Sequence, residues 1–356
     1  MSGRTTTELV AGIEPLAGAW DELADRVDAP PFLRPGWVAA WFAAFGRGGL
    51  EVHAVRRGDR VVALMPLYRH RGLLQSTTNE HTPAYAPLAE DAASAAALAH
   101  AVLATSPRHL SLGSLDADSV AWQAWASVVS GGGYTVLRRV EHRSPVLAVE
   151  GPWAGYEAGL SRSFLADLRR CRRRLEEAGQ AELDASAGRD DLDARLAEVF
   201  AVEAAGWKRA TGTAIASSPA TRRFYELVAR WADDAGMLRL DVLRLDGRAI
   251  AVLFGLESGS RYYALKGGYD PKFRRFSPGK LLLHEAVRRA FADGLRSVEL
   301  LGDAELYKSA WTRAVRPRER FEAFAHSPAG TLDWAAFAFG RPLARRFRRA
   351  MTTATR

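Results

Sequence analysis

The segment from Tyr262 to Lys280 combines the residue types that bind phosphate groups. It begins with a β-rich stretch ending near Lys266, continues through a loop that contains Arg274 and Arg275, and reaches a predicted helix start at Lys280. A helix N terminus presents unpaired N–H groups and the positive end of its dipole to an anion, and the basic side chains add charge. We therefore predict an anion site here, with the geometry of a pyrophosphate site. Its spacing differs from that of a mononucleotide P-loop, because Arg274 stands where the first glycine would be.

Lysine is scarce and clustered in this chain. Five lysines stand against 44 arginines, and all five lie between Lys208 and Lys308. A lysine offers a compact, rotatable ammonium where arginine offers a planar fork, so each remaining lysine is a candidate for a specific role. Codon bias explains the low count and leaves the placement unexplained.

A predicted helix carries a carboxylate on its apolar face. Leu196, Val199, Phe200 and Glu203 are spaced so that they share one side of the helix. A carboxylate on such a face is costly unless it is paired or used, and removal from water favours its uptake of a proton. We predict that Glu203 is a general base. The alternative is a buried ion pair, with Lys208 or an arginine as partner.

Two similar hairpins indicate an internal duplication. Alternating β-rich arms flank Gly58–Asp59 in the first half and Asp246–Gly247 in the second, as a duplicated α/β unit would show. We predict a first domain at residues 1–155, a second at 156–328, and a basic, aromatic tail at 329–356.

Composition limits the class of protein. With 48% hydrophobic residues in 356, the chain suits two domains. The single Cys171 excludes an intramolecular disulfide, and without a cysteine pair or a histidine cluster at ligand spacing we expect no metal site. Residues 1–18 lack the apolar segment of a secretory signal, and no apolar run is long enough to span a membrane, so we expect a cytoplasmic protein.

The positive charge is concentrated at one end. Residues 331–356 hold six arginines and one aspartate, and so supply five of the eight net positive charges. The remaining body is a poor generic nucleic-acid binder. The tail either docks as a terminal helix or lies on an anionic membrane surface as a peripheral contact.

Several motifs resemble one acyltransferase superfamily. Arg274-x-x-Ser277-x-Gly279 resembles the Arg/Gln-x-x-Gly-x-Gly/Ala loop with which GNAT acyltransferases hold the pyrophosphate of coenzyme A, with Ser277 in place of the first glycine. Further segments, in order, are similar to the CelD-like subgroup, which is distantly related to the Fem-type aminoacyltransferases. They are Pro31-Phe32, Trp37, Glu203, Gly206-Trp207-Lys208, Tyr269-Asp270, Ser277-Pro278-Gly279, Gly302-Asp303 and Tyr307-Lys308.

The resemblance implies a fold and an activity. The fold class is α/β (α+β), with two tandem GNAT-like units, each a mixed twisted sheet flanked by helices. The first unit would shape the acceptor cleft, and the second would bind the donor and perform catalysis. The activity would be transfer of an acyl group, chiefly acetyl, from acyl-CoA to a primary amine of a small molecule or sugar, in cell-envelope or exopolysaccharide metabolism. No metal would be needed.

It also implies roles for particular residues. Glu203 would be the base, with Asp270 as the second choice, and Tyr269 the acid, with Tyr307 as the second choice. The donor would be bound by Lys266, Gly268, Arg274, Arg275, Ser277, Gly279 and Lys280. The acceptor would be bound by Tyr85, Trp207, Lys208, Asp303, Tyr307 and Lys308.

Two other functions remain open. The donor could be an aminoacyl-tRNA, as in the Fem relatives, with RNA phosphates bound by the arginines of residues 169–174. Alternatively, the chain could be a non-catalytic partner in polysaccharide assembly. A serine hydrolase is disfavoured, because no Gly-x-Ser-x-Gly motif is present and the histidines are scattered.

Overall fold

The chain forms two compact units in a computed structural model that describes residues 4–185, 191–206, 215 and 218–340. The first unit consists of Met1–Pro35, Gly46–Glu141 and Pro317–Arg356, and the second of Gly36–Phe45 and His142–Arg316. The units therefore change over near 141 and 316, whereas our domain boundaries at 155 and 328 stay a prediction.

The first unit contains one mixed sheet with helices. Its strands are β1 (Thr5–Ala11), β2 (Gly49–Arg57), β3 (Arg60–His70), β4 (Leu73–Ser76), β5 (Leu88–Ala89), β6 (His109–Asp116), the first part of β7 (Tyr134–Ala148) and most of β13 (Val315–Ala325). Its helices are α1 (Ala17–Arg26), α3 (Ala92–Ala104), α4 (Val120–Gly131) and α11 (Pro328–Ala335).

The second unit repeats this composition. Its strands are the end of β7 together with β8 (Ala181–Asp184), β9 (Leu238–Leu245), β10 (Arg248–Ser258), β11 (Arg261–Tyr269) and β12 (Ser297–Glu299). Its helices are α2 (Pro35–Phe45), α5 (Trp153–Gly159), α6 (Arg162–Glu176), α7 (Leu192–Ala205), α8 (Pro219–Asp234), α9 (Pro278–Ala292) and α10 (Leu306–Ser309).

The two sheets have the same sequence of strand directions. The first unit runs β1-β2-β3-β4-β6-β13 and the second β8-β9-β10-β11-β12-β7. In each, three antiparallel pairs are followed by one parallel pair and then by another antiparallel pair. A helix, α3 or α9, precedes the parallel strand in each unit, as a parallel connection requires. The predicted mixed α/β fold with repeated units is confirmed.

Both predicted hairpins are present with two-residue turns. Arg57 pairs with Arg60 around Gly58–Asp59, and Leu245 pairs with Arg248 around Asp246–Gly247. Asp246 and Gly247 both adopt positive φ values, of 50° and 76°. This is the backbone that such tight turns need, and it explains why these residue types stand there.

An apolar stripe on α6 packs into the core of the second unit. Leu168, Cys171 and Leu175 are buried there, and a fully buried leucine contributes about 1.5–3 kcal/mol to stability. A buried ion pair links the sheet to α9, because both Asp241 carboxylate oxygens lie 2.8 Å from the guanidinium of Arg289. These contacts fix the helix whose N terminus forms the candidate site.

No helix among the described residues is both long and apolar enough to cross a membrane.

Candidate functional site

Strand β11 separates from its parallel neighbour after the first third of its length. Its pairing with β12 covers only Arg261–Tyr263, opposite Ser297–Glu299. Beyond that point β11 continues along β10 as far as the Ala251–Tyr269 pair. The sheet therefore splays along residues 264–269, on the side where β12 has ended.

A β-bulge lies in the part of β11 that does not pair with β12. Gly255 pairs with Ala264 and Phe254 with Lys266, so Leu265 is the extra residue. The bulge lies two residues before the pair Gly267–Gly268. A bulge bends its strand and changes the direction of the residues that follow, which here include the two glycines.

Helix α7 brings Glu203 directly against the splayed part of β11. A side-chain carbon added at Gly268 would lie 2.5 Å from the Glu203 Cα atom, so only glycine fits at this contact. Glu203 is 1% exposed, and its Oε2 atom accepts a hydrogen bond of 2.9 Å from the backbone N–H of Ile215. The predicted inward orientation of this carboxylate is confirmed.

Tyr269 joins the same group of residues. It is half-buried at the end of β11, and its carbonyl oxygen lies 3.4 Å from the position of a side-chain carbon on Gly206, the residue after α7. The corresponding position on Gly279 lies 3.5 Å from the Tyr269 ring. The structure thus brings Glu203, Gly268, Tyr269 and the beginning of α9 together.

Ser277 stands at the turn between a 3₁₀ segment, Pro271–Phe276, and helix α9. Its φ of 48° and ψ of 50° place it in the left-handed region, which favours glycine. Its side chain does not cap the helix, although its carbonyl accepts hydrogen bonds from the N–H groups of Lys280 and Leu281. The serine therefore keeps a backbone conformation that glycine adopts without strain.

We expect Ser277→Gly to stabilise the protein. A non-glycine residue in the left-handed conformation costs about 1–2 kcal/mol of stability, and glycine removes this cost. Glycine also makes the unfolded chain more flexible, which lowers stability by about 0.4–1 kcal/mol. The free energy of unfolding should rise by about 0.5–1 kcal/mol, measured in urea. Ser127→Gly, at an exposed position in the interior of helix α4, should lower it instead. A loss of stability in Ser277→Gly would contradict the conformational argument.

The basic residues around this turn differ in whether an acid neutralises them. Arg274 and Arg275 in the 3₁₀ segment and Arg174 on α6 are exposed and have no acidic partner within the described part of the chain. The Arg275 guanidinium lies 4.5 Å from the centre of the Phe276 ring. A cavity of about 360 Å³ beside this turn is lined by Arg174, Glu177, Ala178, Arg275 and Phe276. Positive charge is therefore available at the N-terminal end of α9.

A comparison of the sequence with protein-family models decides the family of this region. Residues 162–309 match the model described as an acetyltransferase (GNAT) domain. These residues form a GNAT acetyltransferase domain. The chain is accordingly an acyltransferase by class.

Solved structures agree with this fold. A crystal structure of FemX has a TM-score of 0.63 at 11% identity, covering 91% of this chain and 99% of that chain. The C-terminal domain of a provisionally assigned lysylphosphatidylglycerol synthetase from Agrobacterium fabrum has a TM-score of 0.57 at 11% identity, covering 91% and 96%. At such low identity these likenesses show the fold alone. A tandem GNAT protein from the clavulanic acid pathway has a TM-score of 0.47 at 15% identity, covering 91% and 99%. No curated protein sequence matches the chain significantly.

Lys280 has a partner within the GNAT domain. Its ammonium donates a hydrogen bond to Asp167 on α6 and lies 5.6 Å from the centre of the Phe164 ring. The hydrogen bond from Lys280 is the main cause that lowers the pKa of Asp167. Lys280 thus ties α9 to α6, and of the predicted anion-binding charges Arg274 and Arg275 are the ones that no acid neutralises in the described chain.

Asp270 accepts two hydrogen bonds that give it a structural role. Its Oδ1 atom accepts from the N–H of Lys272 at 3.0 Å and caps the 3₁₀ segment, while Arg248 donates to Oδ2 at 2.6 Å. A carboxylate whose two oxygens are held by a backbone N–H and a guanidinium stabilises this turn. The local reason is its position before a proline turn, where aspartate commonly caps.

Three predicted acceptor residues lie in the segment after β12. The Lys308 ammonium is buried and donates to the carbonyl oxygens of Leu301 and Asp303, at 2.7 and 3.1 Å. Asp303 accepts from the N–H groups of Arg143 and Ala304, and these bonds lower its pKa. Tyr307, by contrast, is 60% exposed. Lys308 and Asp303 therefore shape the segment, and Tyr307 is the member whose side chain is accessible.

The remaining predicted residues fall elsewhere. Tyr85 is buried in the first unit, where its hydroxyl donates to the carbonyl of Pro66. Lys266 is half-buried on β11, with its ammonium 5.8 Å from the centre of the Tyr225 ring. Trp207 and Lys208 lie outside the described residues.

Sequence reasoning missed a charged cavity on the helical side of the domain. Residues of α5, α6 and α9, including Trp153, Arg172, His284 and Glu285, enclose about 430 Å³. Hydrogen bonding, first from His284, lowers the pKa of Glu285 to about 2, and Arg172 also donates to it. No local pattern reveals this group, because its members come from separate helices. Among the described residues, no three His, Cys, Asp or Glu side chains are placed to hold a metal ion.

Proposed function

We propose that this chain transfers an acyl group, chiefly acetyl, from acyl-CoA to a primary amine by direct attack. The observation that supports this most is the position of the Glu203 carboxylate, buried against Gly268 on the splayed strand of a GNAT domain. Amine acylation needs a base within hydrogen-bond reach of the attacking amine, and Glu203 lies beside the opened edge of the sheet.

The donor would bind across the splay and the beginning of α9. The helix N terminus offers its positive dipole end to the pyrophosphate, and the left-handed turn at Ser277 brings the backbone close. Arg274 and Arg275 supply the charge. Gly268 and Gly279 keep the path along β11 free of side chains. Lys280 would support the site indirectly, because its hydrogen bond to Asp167 holds α9 against α6.

The reaction would proceed with Glu203 as base and Tyr269 as acid. An ammonium with a pKa of about 10.4 must lose a proton before it can attack, and the Glu203 carboxylate takes it, directly or through water. The nitrogen lone pair then forms the C–N bond to the thioester carbonyl. Backbone N–H groups of residues 266–269 stabilise the oxyanion. As the carbonyl re-forms and the C–S bond breaks, the Tyr269 hydroxyl gives a proton to the leaving thiolate. The nitrogen loses its second proton through water to the Tyr269 phenolate, which leaves a neutral amide.

The acceptor would be a primary amine of a small molecule or sugar that is used in the cell envelope or in exopolysaccharides. In this proposal the second unit performs the chemistry, and Tyr85, which is buried within the first unit, is not accessible to the acceptor. Trp207, Lys208 and Tyr307 would contact the acceptor, with Asp303 and Lys308 holding the segment that carries Tyr307.

The donor is identified by thermal denaturation of the full chain with coenzyme A, acetyl-CoA and longer acyl-CoAs. We expect a saturable rise in Tm, equivalent to about 2.7 kcal/mol at a hundredfold excess over Kd. The Arg274→Ala/Arg275→Ala variant should raise the Kd of coenzyme A by about 10- to 100-fold, since each lost charge-assisted hydrogen bond costs about 1.5–3 kcal/mol in full and less when exposed.

Arg223→Ala provides the matched control for this measurement. Arg223 is an exposed arginine on α8 without an acidic partner in the described chain. Replacing it with alanine removes one positive charge, as each of the two replacements at Arg274 and Arg275 does. Binding that falls to the same extent in both variants would contradict a specific role for the Arg274–Arg275 pair.

An aminoacyl-tRNA donor is the second candidate. Arg169 and Arg174 on α6 are exposed and have no acidic partner in the part of the chain described, so they are available to RNA phosphates. Retention of tRNA that falls steeply with salt, without any shift by coenzyme A, would favour this function. If neither donor binds, the non-catalytic function in polysaccharide assembly becomes the preferred one.

A further inference from the structure

The charged cavity bounded by α5, α6 and α9 lies apart from the proposed donor site. Its volume of about 430 Å³ is within the range of roughly 300–1,000 Å³ that is typical of small-molecule sites. Its residues on α9 are His284, Glu285 and Arg288. The proposed donor site is at the beginning of the same helix, where Lys280 comes one turn before His284. The cavity is therefore separate from the residues that would bind coenzyme A.

One side of this cavity is apolar and is fixed by packing. Trp153, Leu165 and Leu168 line it, and Leu168 is buried in the core of the domain. The Trp153 ring stands edge-on to two other rings, at 5.2 Å from His284 and 5.5 Å from Phe291 between ring centres. Because these contacts hold the indole ring in place, it offers a preformed apolar surface to a ligand.

Another side carries two guanidinium groups that one carboxylate holds in place. Arg172 donates a hydrogen bond to Oε1 of Glu285, and Arg288 donates to Oε2 at 2.9 Å. Hydrogen bonds from His284, Arg172 and Arg288 lower the pKa of Glu285 to about 2, so it is ionised at neutral pH. A guanidinium group has several N–H donors, and a single carboxylate accepts only some of those that two such groups offer. The two arginines therefore keep donors for a bound anion.

The charges around the cavity do not balance. Arg169 on α6 also lines it, is exposed, and has no acidic partner in the part of the chain that the structure describes. With the two arginines bound to Glu285 it makes three positive charges, against two negative charges from Glu285 and Glu157. Protonation of His284, whose Nε2 atom lies 3.4 Å from Oε1 of Glu157, would add a further positive charge. The excess is positive in either state of His284, and it favours an anion.

We propose that this cavity binds a small organic carboxylate with an aromatic or branched apolar body. The carboxylate accepts charge-assisted hydrogen bonds from Arg169 and from the remaining donors of Arg172 and Arg288. The apolar body packs on Trp153 and the two leucines beside it. A phosphate monoester carries about two negative charges at neutral pH, and the second would stand beside the two glutamates, so a carboxylate fits the charge excess better. The inference is independent of the proposed acyl transfer.

Isothermal titration calorimetry of the full chain tests this site with phenylacetate as the probe. Acetate carries the charge without the apolar body, and phenethyl alcohol carries the body without the charge. We expect phenylacetate to bind about tenfold more tightly than either, because charge-assisted hydrogen bonds and apolar burial both contribute. The proposal is overturned if phenylacetate does not bind saturably, or if either partial probe binds as tightly.

Variants of the cavity arginines give the second measurement. Arg169→Gln/Arg288→Gln should raise the Kd of phenylacetate about tenfold, while Arg172 still holds Glu285. Arg169→Gln alone replaces an exposed side chain without an acidic partner in the described chain, so it should fold even if the double variant does not. It should weaken binding in the same direction, and circular dichroism checks that each variant is folded.

Two controls separate the cavity from a general effect of charge. Arg173→Gln removes the same charge from the same helix, at an exposed residue that pairs with Glu177 outside the cavity. It should leave the Kd of phenylacetate unchanged, as should Arg274→Ala/Arg275→Ala at the proposed donor site. The proposal is overturned if either control weakens binding as much as Arg169→Gln does, or if Arg169→Gln binds as the unchanged protein does.

Discussion

Replacing Glu203 with glutamine should lower kcat/KM for acyl transfer by about 10²- to 10⁴-fold, the contribution typical of a general base. Glutamine keeps the shape of the side chain and an oxygen that can accept the hydrogen bond from Ile215, so the local structure should persist. What it loses is the ability to take a proton from the ammonium of the acceptor. The Kd of acyl-CoA should therefore remain close to that of the unchanged protein.

A comparison with a second carboxylate of α7 separates this role from a structural one. If Glu203 is the base, the loss in Glu203→Gln should appear in kcat, with the KM for acyl-CoA little changed. The control is Glu198→Gln on the same helix. Glu198 forms an ion pair of 2.6 Å with Arg244 and lies away from the splayed strand. Glu203→Gln activity equal to that of Glu198→Gln, with both proteins folded, would show that Glu203 is a buried structural carboxylate.

The orientation of Glu203 could be predicted because it depends on a local regularity. Side chains three and four residues apart share a helix face, so the burial of Leu196, Val199 and Phe200 implies that of Glu203. The two hairpins were predictable for the same kind of reason, since their tight turns require particular residues at adjacent positions.

The partners of charged side chains could not be predicted in this way. Lys280 bonds to Asp167, which lies 113 residues earlier in the chain and reaches it only because α6 packs against α9. Arg248 likewise reaches Asp270 through the pairing of β10 and β11. Leu301 adopts a φ of 53°, in the left-handed region, and a leucine in a sequence does not predict this conformation. Such features follow from packing, and they decide which charges remain available to a ligand.

Gly268 allows the base and the splayed strand to meet, and this makes it a sensitive position. Because a side-chain carbon at Gly268 would lie 2.5 Å from the Glu203 Cα atom, Gly268→Ala must push α7 away from β11. Overpacking of this kind costs about 1–3 kcal/mol in the free energy of unfolding. The rate of acyl transfer should fall by about 10²-fold, since a displacement of about 1 Å at a catalytic group has that effect. This is more than the loss of stability alone would cause in a protein that remains folded.

The neighbouring glycine provides the matched comparison. A side-chain carbon at Gly267 would lie 3.4 Å from the Leu253 Cδ1 atom, the end of a flexible side chain, so Gly267→Ala should cost less than Gly268→Ala in both measurements. Urea unfolding and single-turnover acyl transfer, measured on both variants, give the two quantities. If the two alanines had equal effects on activity, the close approach of α7 to β11 would not be what places the base. The larger effect at Gly268 would instead tie the catalytic role of Glu203 to one backbone contact, which a glycine alone permits.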